Sequence, residues 1–133
     1  MDVVAAVRAV FEEGWNEERF ETIGPLFAET FTLHIGDSQR TTTVAELREI
    51  VRRWHEGFPD FRFEIHAALA SGDRAAVHAT LRGTQDGPWG DLAATGRSIE
   101  VDHMFFFRIE DDRLVEVWEL LDRDTLRRQL AEG

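Results

Sequence analysis

The amino-acid sequence predicts one α+β domain in which helices cover one face of a largely antiparallel sheet. Hydrophobic residues recur mainly at helical spacing up to residue 57, apart from one short strand. From residue 61 onward they alternate with polar residues, which is the period of strands. The turns between later strands are short, so neighbouring strands are expected to pair antiparallel. The length of 133 residues suits a single domain over 1–133.

The N-terminal third is predicted to form two helices and then a strand. A helix over 2–18 is expected because its apolar side chains share one stripe, made of Val3, Val4, Val7, Val10, Phe11 and Trp15. A second, short helix is expected over 19–29, with Pro25 tolerated in its first turn. Residues 30–36 are predicted to be a strand, because Phe31 and Leu33 alternate with polar neighbours. Residues 36–40 are predicted to be loop.

The remaining elements follow from caps and alternation. Thr43 and Glu46 form a capping-box pattern that starts a helix over 44–57, which Gly57 and Pro59 end. Period-two alternation predicts strands over 61–69, 77–81, 99–109 and 114–121. A glycine-rich loop is expected over 83–97 and a short helix over 123–131. The sequence contains no repeat and no linker.

Composition excludes several kinds of chemistry. The net charge is −11, and all 15 cationic side chains are Arg. The absence of Cys excludes disulfides and thiolate catalysis, and the absence of Lys excludes Schiff-base catalysis. The absence of Tyr excludes a phenol as acid or oxyanion donor. The acidity argues against a nucleic-acid partner. No apolar run is long enough to span a membrane, and the N-terminus lacks a signal-peptide pattern, so a cytoplasmic location is expected.

Several short strings, in order along nearly the whole chain, resemble one family. They include Trp15-Asn16, Phe58-Pro59-Asp60-Phe61, Gly72-Asp73-Arg74, and Val115-Glu116-Val117-Trp118 ahead of Asp122. Together they resemble the SnoaL-like polyketide cyclase, or ester cyclase, group of the nuclear transport factor 2-like (NTF2-like) superfamily. The resemblance implies a cone-shaped α+β fold, in which a curved mixed or antiparallel sheet and N-terminal helices enclose an apolar pocket. It also implies a homodimer through the outer face of the sheet.

The resemblance implies an acid/base role for Asp122. It lies at the end of the last predicted strand, in phase with Trp118, and burial beside apolar rings would raise its pKa. The alternative is that Asp122 only caps the terminal helix. His34 ends the first strand, where it could orient a substrate oxygen or lie on the surface. His103 lies in an apolar row, where it is either a catalytic residue or a histidine of the core. Alternation alone leaves open which face of the strand 99–109 lines the pocket.

Aromatic side chains are candidates to line a pocket for a hydrophobic ligand, or simply to pack the core. We expect substrate contacts from Trp15, Asn16, Trp54, Trp89, Phe105 and Trp118. Trp89 lies in a Gly/Pro loop, so it could cover the pocket mouth or pack against a partner subunit. No three or four ligands converge in the pattern, so no metal site is expected.

The resemblance implies a cofactor-independent enzyme of the SnoaL-like cyclase type, acting on a hydrophobic, polyketide-like carbonyl substrate through an enol or enolate. Compared with the family pattern, Ala94 replaces a proline, and Gln85 and Val117 replace histidines. The two lost histidines favour the alternative of a non-catalytic ligand-binding or dimeric interaction module. An isomerase, hydratase or epoxide hydrolase using the same pocket is a further alternative. The missing Tyr argues against the isomerase and epoxide hydrolase chemistries of the superfamily.

Overall fold

The computed structural model describes residues 1–132 and contains four α-helices and six strands. The helices are α1 (Val3–Ala9), α2 (Phe20–Ile23), α3 (Val44–Gly57) and α4 (Arg123–Glu132). A π-helical segment, Val10–Trp15, continues α1, and a 3₁₀ turn, Gly24–Leu26, follows α2. The strands are β1 (Phe27–Ile35), β2 (Ser38–Thr42), β3 (Arg62–Ser71), β4 (Arg74–Thr84), β5 (Ser98–Glu110) and β6 (Arg113–Leu121).

The six strands form one curved, open sheet in the order β2-β1-β6-β5-β4-β3. All neighbours pair antiparallel except β1 and β6, which are parallel. The sheet is therefore mixed. Its inward face packs against α1, the π-helical segment and α3 around an aromatic core, which confirms the expected α+β arrangement.

The element predictions hold where local signals are strong. Thr43 caps α3 by accepting a hydrogen bond from the backbone N–H of Glu46. The prediction of a helix over 19–29 is wrong at its end, because β1 already begins at Phe27. The predicted loop at 36–40 is wrong as well: Ser38–Thr42 pairs with β1 as an edge strand, mostly exposed. Within residues 1–132, no helix is long and apolar enough to cross a membrane.

The alternation of β5 settles which face lines the interior. Ile99, Val101, His103, Phe105, Phe107 and Ile109 are buried, and the residues between them face outward. On β6 the inward phase contains Val117 and Glu119, because Phe105 pairs with Glu119 and Phe107 with Val117. Phe106 and Trp118 pair on the outer face.

Candidate active site

A narrow cavity lies between the inward face of the sheet and the π-helical segment. In that segment the backbone N–H of Asn16 donates to the carbonyl of Phe11, five residues earlier, and such π-turns are frequent at functional sites. The free volume is about 20 Å³, room for roughly one water molecule. The walls are apolar apart from one carboxyl group; they comprise Val10, Phe11, Trp15, Phe27, Phe31, Leu33, Leu47, Phe105, Phe107, Val117 and Glu119.

Glu119 is the one ionisable side chain of this wall. Its side chain is 15% exposed, and none of the residues described by the structure gives its carboxyl group a hydrogen bond. Burial raises the pKa of Glu119 to about 7, although the positive charges of Arg123 and Arg40 act in the opposite direction. A carboxyl group with this pKa exists in both protonation states near neutral pH, as a group that must take and return a proton requires.

His103 lies beside Glu119 on the inward face. Its ring stacks on Phe105, with centroids 4.2 Å apart, and meets the edge of Phe63 at 5.3 Å. Neither ring nitrogen has a hydrogen-bond partner among the described residues. Burial, helped by the charge of Arg123, lowers the pKa of His103 to about 3. The imidazole is therefore neutral at physiological pH.

The two polar groups face each other without bonding. The distance from His103 Nε2 to Glu119 Oε2 is 4.0 Å, too long for a hydrogen bond. Because His103 is neutral, the contact is not an ion pair either. A base and a hydrogen-bond donor thus lie side by side in apolar surroundings, where electrostatic effects are stronger than in water.

The structure corrects the physical premise behind the Asp122 prediction. Asp122 is exposed and caps α4: one carboxylate oxygen accepts from the Thr125 backbone N–H at 3.0 Å, the other from the Thr125 hydroxyl at 2.6 Å. These hydrogen bonds lower the pKa of Asp122 instead of raising it. Asp122 follows the last residue of β6, and its strand phase, that of Trp118, is the outer one.

His34 and Trp118 lie on the outer face of the sheet, not in the cavity; for His34 this is the surface position that the sequence left open. The His34 ring stacks on Trp118, with centroids 4.8 Å apart, and His34 Nε2 lies 2.6 Å from a carboxylate oxygen of Glu116. Glu116 also accepts a hydrogen bond from Arg108 at 2.9 Å. This arrangement fixes the outer surface around β1 and β6.

Three further predicted substrate contacts also lie outside the cavity. Asn16 exchanges two hydrogen bonds with the backbone of Phe63 and so ties the first helix to β3. Trp54 on α3 packs against Trp89, with ring centroids 4.8 Å apart. Trp89 therefore anchors the loop before β5 onto α3. The loop is held further by the buried Gln85 side chain, which bonds to Ala93 and Thr95.

Among the predicted site residues, the structure brings together Trp15 and Phe105, which line the cavity, and His103 beside them. Glu119, the residue that sequence reasoning missed, completes the group. A signal was present: Glu119 lies two residues after Val117 in the buried phase of a strand, where a charge is unusual. Within the part of the chain that the structure describes, no three His, Asp or Glu side chains converge as a metal site would need.

Comparison with known proteins agrees with this architecture. A family model described as SnoaL-like polyketide cyclase matches residues 5–130. No curated protein matches the chain. A candidate SnoaL-like polyketide cyclase from Jannaschia sp. CCS1 has a similar structure, with a TM-score of 0.86 at 20% identity, over 98% of this chain and 92% of that one.

Two Streptomyces structures are also similar. IdmH from Streptomyces antibioticus, a candidate polyketide cyclase, gives a TM-score of 0.84 at 23% identity over 98% and 99% of the two chains. AclR from Streptomyces galilaeus, a candidate hydroxylase, gives 0.82 at 20% identity over 100% and 83%. At these identities the likeness shows the fold alone, and the differing descriptions show that the fold does not fix the reaction.

Proposed function

Because this chain belongs to the SnoaL-like polyketide cyclase family, we propose that it is a cofactor-independent enzyme that removes a proton next to the carbonyl group of a hydrophobic, polyketide-like substrate. The observation that supports this proposal is the Glu119 carboxyl group, held in an apolar cavity with a pKa of about 7. Glu119 takes the place that sequence reasoning gave to Asp122.

The proposed reaction uses Glu119 twice. The carboxylate takes the α-proton, and the electron pair of that C–H bond delocalises onto the carbonyl oxygen as an enolate. The enolate carbon then attacks a second carbonyl group of the same molecule, which closes a ring and forms an alkoxide. Glu119 returns its proton to this alkoxide, so the carboxylate is regenerated and the net reaction is an isomerisation.

The substrate must be bound by apolar fit. The cavity wall offers aromatic and aliphatic surface and one carboxyl group, and the chain carries a net charge of −11. An anionic group would therefore be repelled rather than attracted. A free volume of about 20 Å³ is smaller than any polyketide, so binding requires the aromatic wall to move apart.

Two variants separate Glu119 from Asp122. The probe is 2-tetralone, a bicyclic ketone, incubated with the protein in D₂O while proton NMR follows loss of the α-hydrogen signal. We expect Glu119→Gln to lose at least about 100-fold of the exchange rate above background, a typical contribution of a general base. Asp122→Asn should retain wild-type exchange, because its carboxylate only caps α4. The reverse pattern would assign the base to Asp122.

A non-catalytic ligand-binding module is the second candidate, favoured by Gln85 and Val117 at positions where the family pattern has histidines. Under that alternative 2-naphthol, the planar aromatic counterpart of the enol of 2-tetralone, binds in the cavity while wild-type protein leaves 2-tetralone exchange at the background rate. That result would reject the enzyme proposal and keep the pocket.

The proposal also includes a homodimer through the outer face of the sheet. Four large apolar side chains form an outer apolar patch there: Leu69, Met104, Phe106 and Leu120 are 68%, 50%, 43% and 64% exposed. Arg74 pairs with Arg108 on one side of this patch, and Thr80 pairs with Asp102 on the other. A two-fold axis that lies in the interface at right angles to β4 and β5 would bring Arg74 of one copy near Asp102 of the other. We propose a cytoplasmic location for this dimer, which cell fractionation tests.

A further inference from the structure

We propose that His103 is the hydrogen-bond donor to the substrate's carbonyl oxygen, and that it stabilises the enolate formed when Glu119 removes the α-proton. This inference rests on the proposed function, because it adds a second catalytic group beside the Glu119 carboxyl group of the cavity wall. It differs from a mechanism in which the conjugation of the substrate alone spreads the charge.

The first support is the state of the imidazole. His103 is 3% exposed, and neither of its ring nitrogens has a partner among the described residues. A buried polar group left unpaired costs about 1–3 kcal/mol, and native proteins satisfy most such groups. An oxygen atom bound between His103 and Glu119 would remove this cost.

The second support is the spacing of the two groups. A carbonyl oxygen about 2.9 Å from a donor nitrogen makes a normal hydrogen bond, and a reacting carbon lies about 3–3.5 Å from its base. One C–C=O unit can meet both requirements when donor and base are 4.0 Å apart, as His103 Nε2 and Glu119 Oε2 are. The substrate's oxygen then faces His103 while its α-carbon faces Glu119.

The third support is the charge of the surroundings. Phe63 and Phe105 pack against the His103 ring. The positive charge of Arg123 lowers the pKa of both His103 and Glu119, and that of Arg40 lowers the pKa of Glu119. A neutral imidazole retains one N–H and donates it without transferring the proton. The electron pair released by the C–H bond therefore stays on the enolate oxygen, and the proton stays on Glu119.

The same surroundings argue against the alternative of a histidine-activated water. An imidazole whose conjugate acid forms only near pH 3 is a weak base at neutral pH. In contrast, a neutral imidazole ring can still donate a hydrogen bond through its one N–H. We therefore infer a donor role for His103, which serves enolisation better than hydration or hydrolysis.

The test compares three proteins in the same exchange assay with 2-tetralone. We expect His103→Leu, which keeps the apolar volume and loses the N–H, to reduce the exchange rate about 100-fold, as for the loss of one oxyanion donor. His103→Gln keeps an N–H donor and should restore most of that loss. Circular dichroism and thermal unfolding of both variants check that they fold.

A binding measurement separates a donor from a packing residue. On addition of 2-naphthol, we expect the ¹⁵N–H signal of His103 in two-dimensional NMR to shift downfield while the ring stays neutral. Binding of 2-naphthol without any change at His103, or equal exchange by His103→Leu and wild type, would overturn the proposal. A His103 ring that is protonated at pH 6 would also contradict it.

The two proposals fail in different ways. If Glu119→Gln loses exchange and His103→Leu does not, Glu119 is the base and His103 is only packed beside it. If wild type and Glu119→Gln both exchange 2-tetralone at the background rate and 2-naphthol does not bind, both the proposed function and the role of His103 are rejected.

Discussion

Glu119 occupies a place where ionisation is costly, and this cost has a measurable consequence. Its pKa in the folded protein is about 7, above the ordinary value of 4.5. The folded state thus holds the proton more tightly than the unfolded chain. The stability that protonated Glu119 contributes is fully present below pH 4.5 and is lost as pH rises through 7.

We predict that this loss amounts to roughly 3 kcal/mol between pH 4.5 and 8, from about 1.36 kcal/mol for each pKa unit. Urea unfolding of wild type and Glu119→Gln at both pH values measures it. The wild type should lose about that much more stability than the variant as pH rises. The same pH dependence in both proteins would contradict a raised pKa for Glu119.

His103 acts in the opposite direction along the pH scale. Its pKa is lowered from 6.5 to about 3, so the contribution of the neutral ring is lost as pH falls from 6.5 toward 3. Between pH 4.5 and 6.5 the two residues therefore have opposing effects. Their separate effects emerge only by comparing each variant with wild type.

At the scale of elements, the sequence predicted those parts whose signals are local. The Thr43 cap of α3 and the alternation of β5 each depend on neighbouring residues, and both are present as expected. β2 was missed because an exposed edge strand needs no apolar alternation. The start of β1 at Phe27 was missed because its first residues follow directly from the 3₁₀ turn.

The site was harder to predict because it depends on which side of a strand faces the core. The sequence identifies His103 and Phe105 as candidates, but only the position of β5 between β4 and β6 determines which face of the sheet they occupy. Glu119 and Asp122 are three residues apart, so alternation puts them in opposite phases. A residue in phase with Trp118, as Asp122 is, therefore faces outward, whereas Glu119 faces the cavity.

The capping role of Asp122 gives a prediction for α4. Replacing Asp122 with Ala removes both hydrogen bonds to Thr125 and should lower the unfolding temperature of the protein by a few degrees, because the first turn of α4 loses its cap. Thermal unfolding measures the change. The matched control is Asp124→Ala in the first turn of the same helix, whose carboxylate makes no hydrogen bond among the described residues. Equal effects of the two variants would refute the cap.

At the scale of the whole molecule, the sheet has two faces with apolar side chains, and we propose a different role for each. The inward face closes over the cavity, and the outer face exposes the outer apolar patch. A contiguous exposed patch of large apolar side chains is typical of an interface. Because the two faces alternate along the same strand, Met104 and Phe106 lie in the patch while His103 and Phe105 face the interior.

The dimer proposal predicts a change in mass when the patch is charged. We expect wild-type protein to sediment as a dimer and Phe106→Asp to sediment as a monomer, because two buried carboxylates would face each other across the interface. Leu92→Asp is the control: Leu92 is 41% exposed and lies in the loop before β5, away from the patch. A wild-type monomer, or dissociation by both variants, would contradict the proposed interface.

The central claim is that Glu119 is an acid/base group tuned by its apolar cavity, and its own titration tests that claim most directly. Side-chain carboxyl ¹³C chemical shifts of wild-type protein, followed from pH 3 to 9 and assigned with Glu119→Gln, give its pKa. The account predicts a value of about 7 for Glu119. A value at or below the ordinary 4.5 would show that the carboxyl group is solvated and would contradict the account.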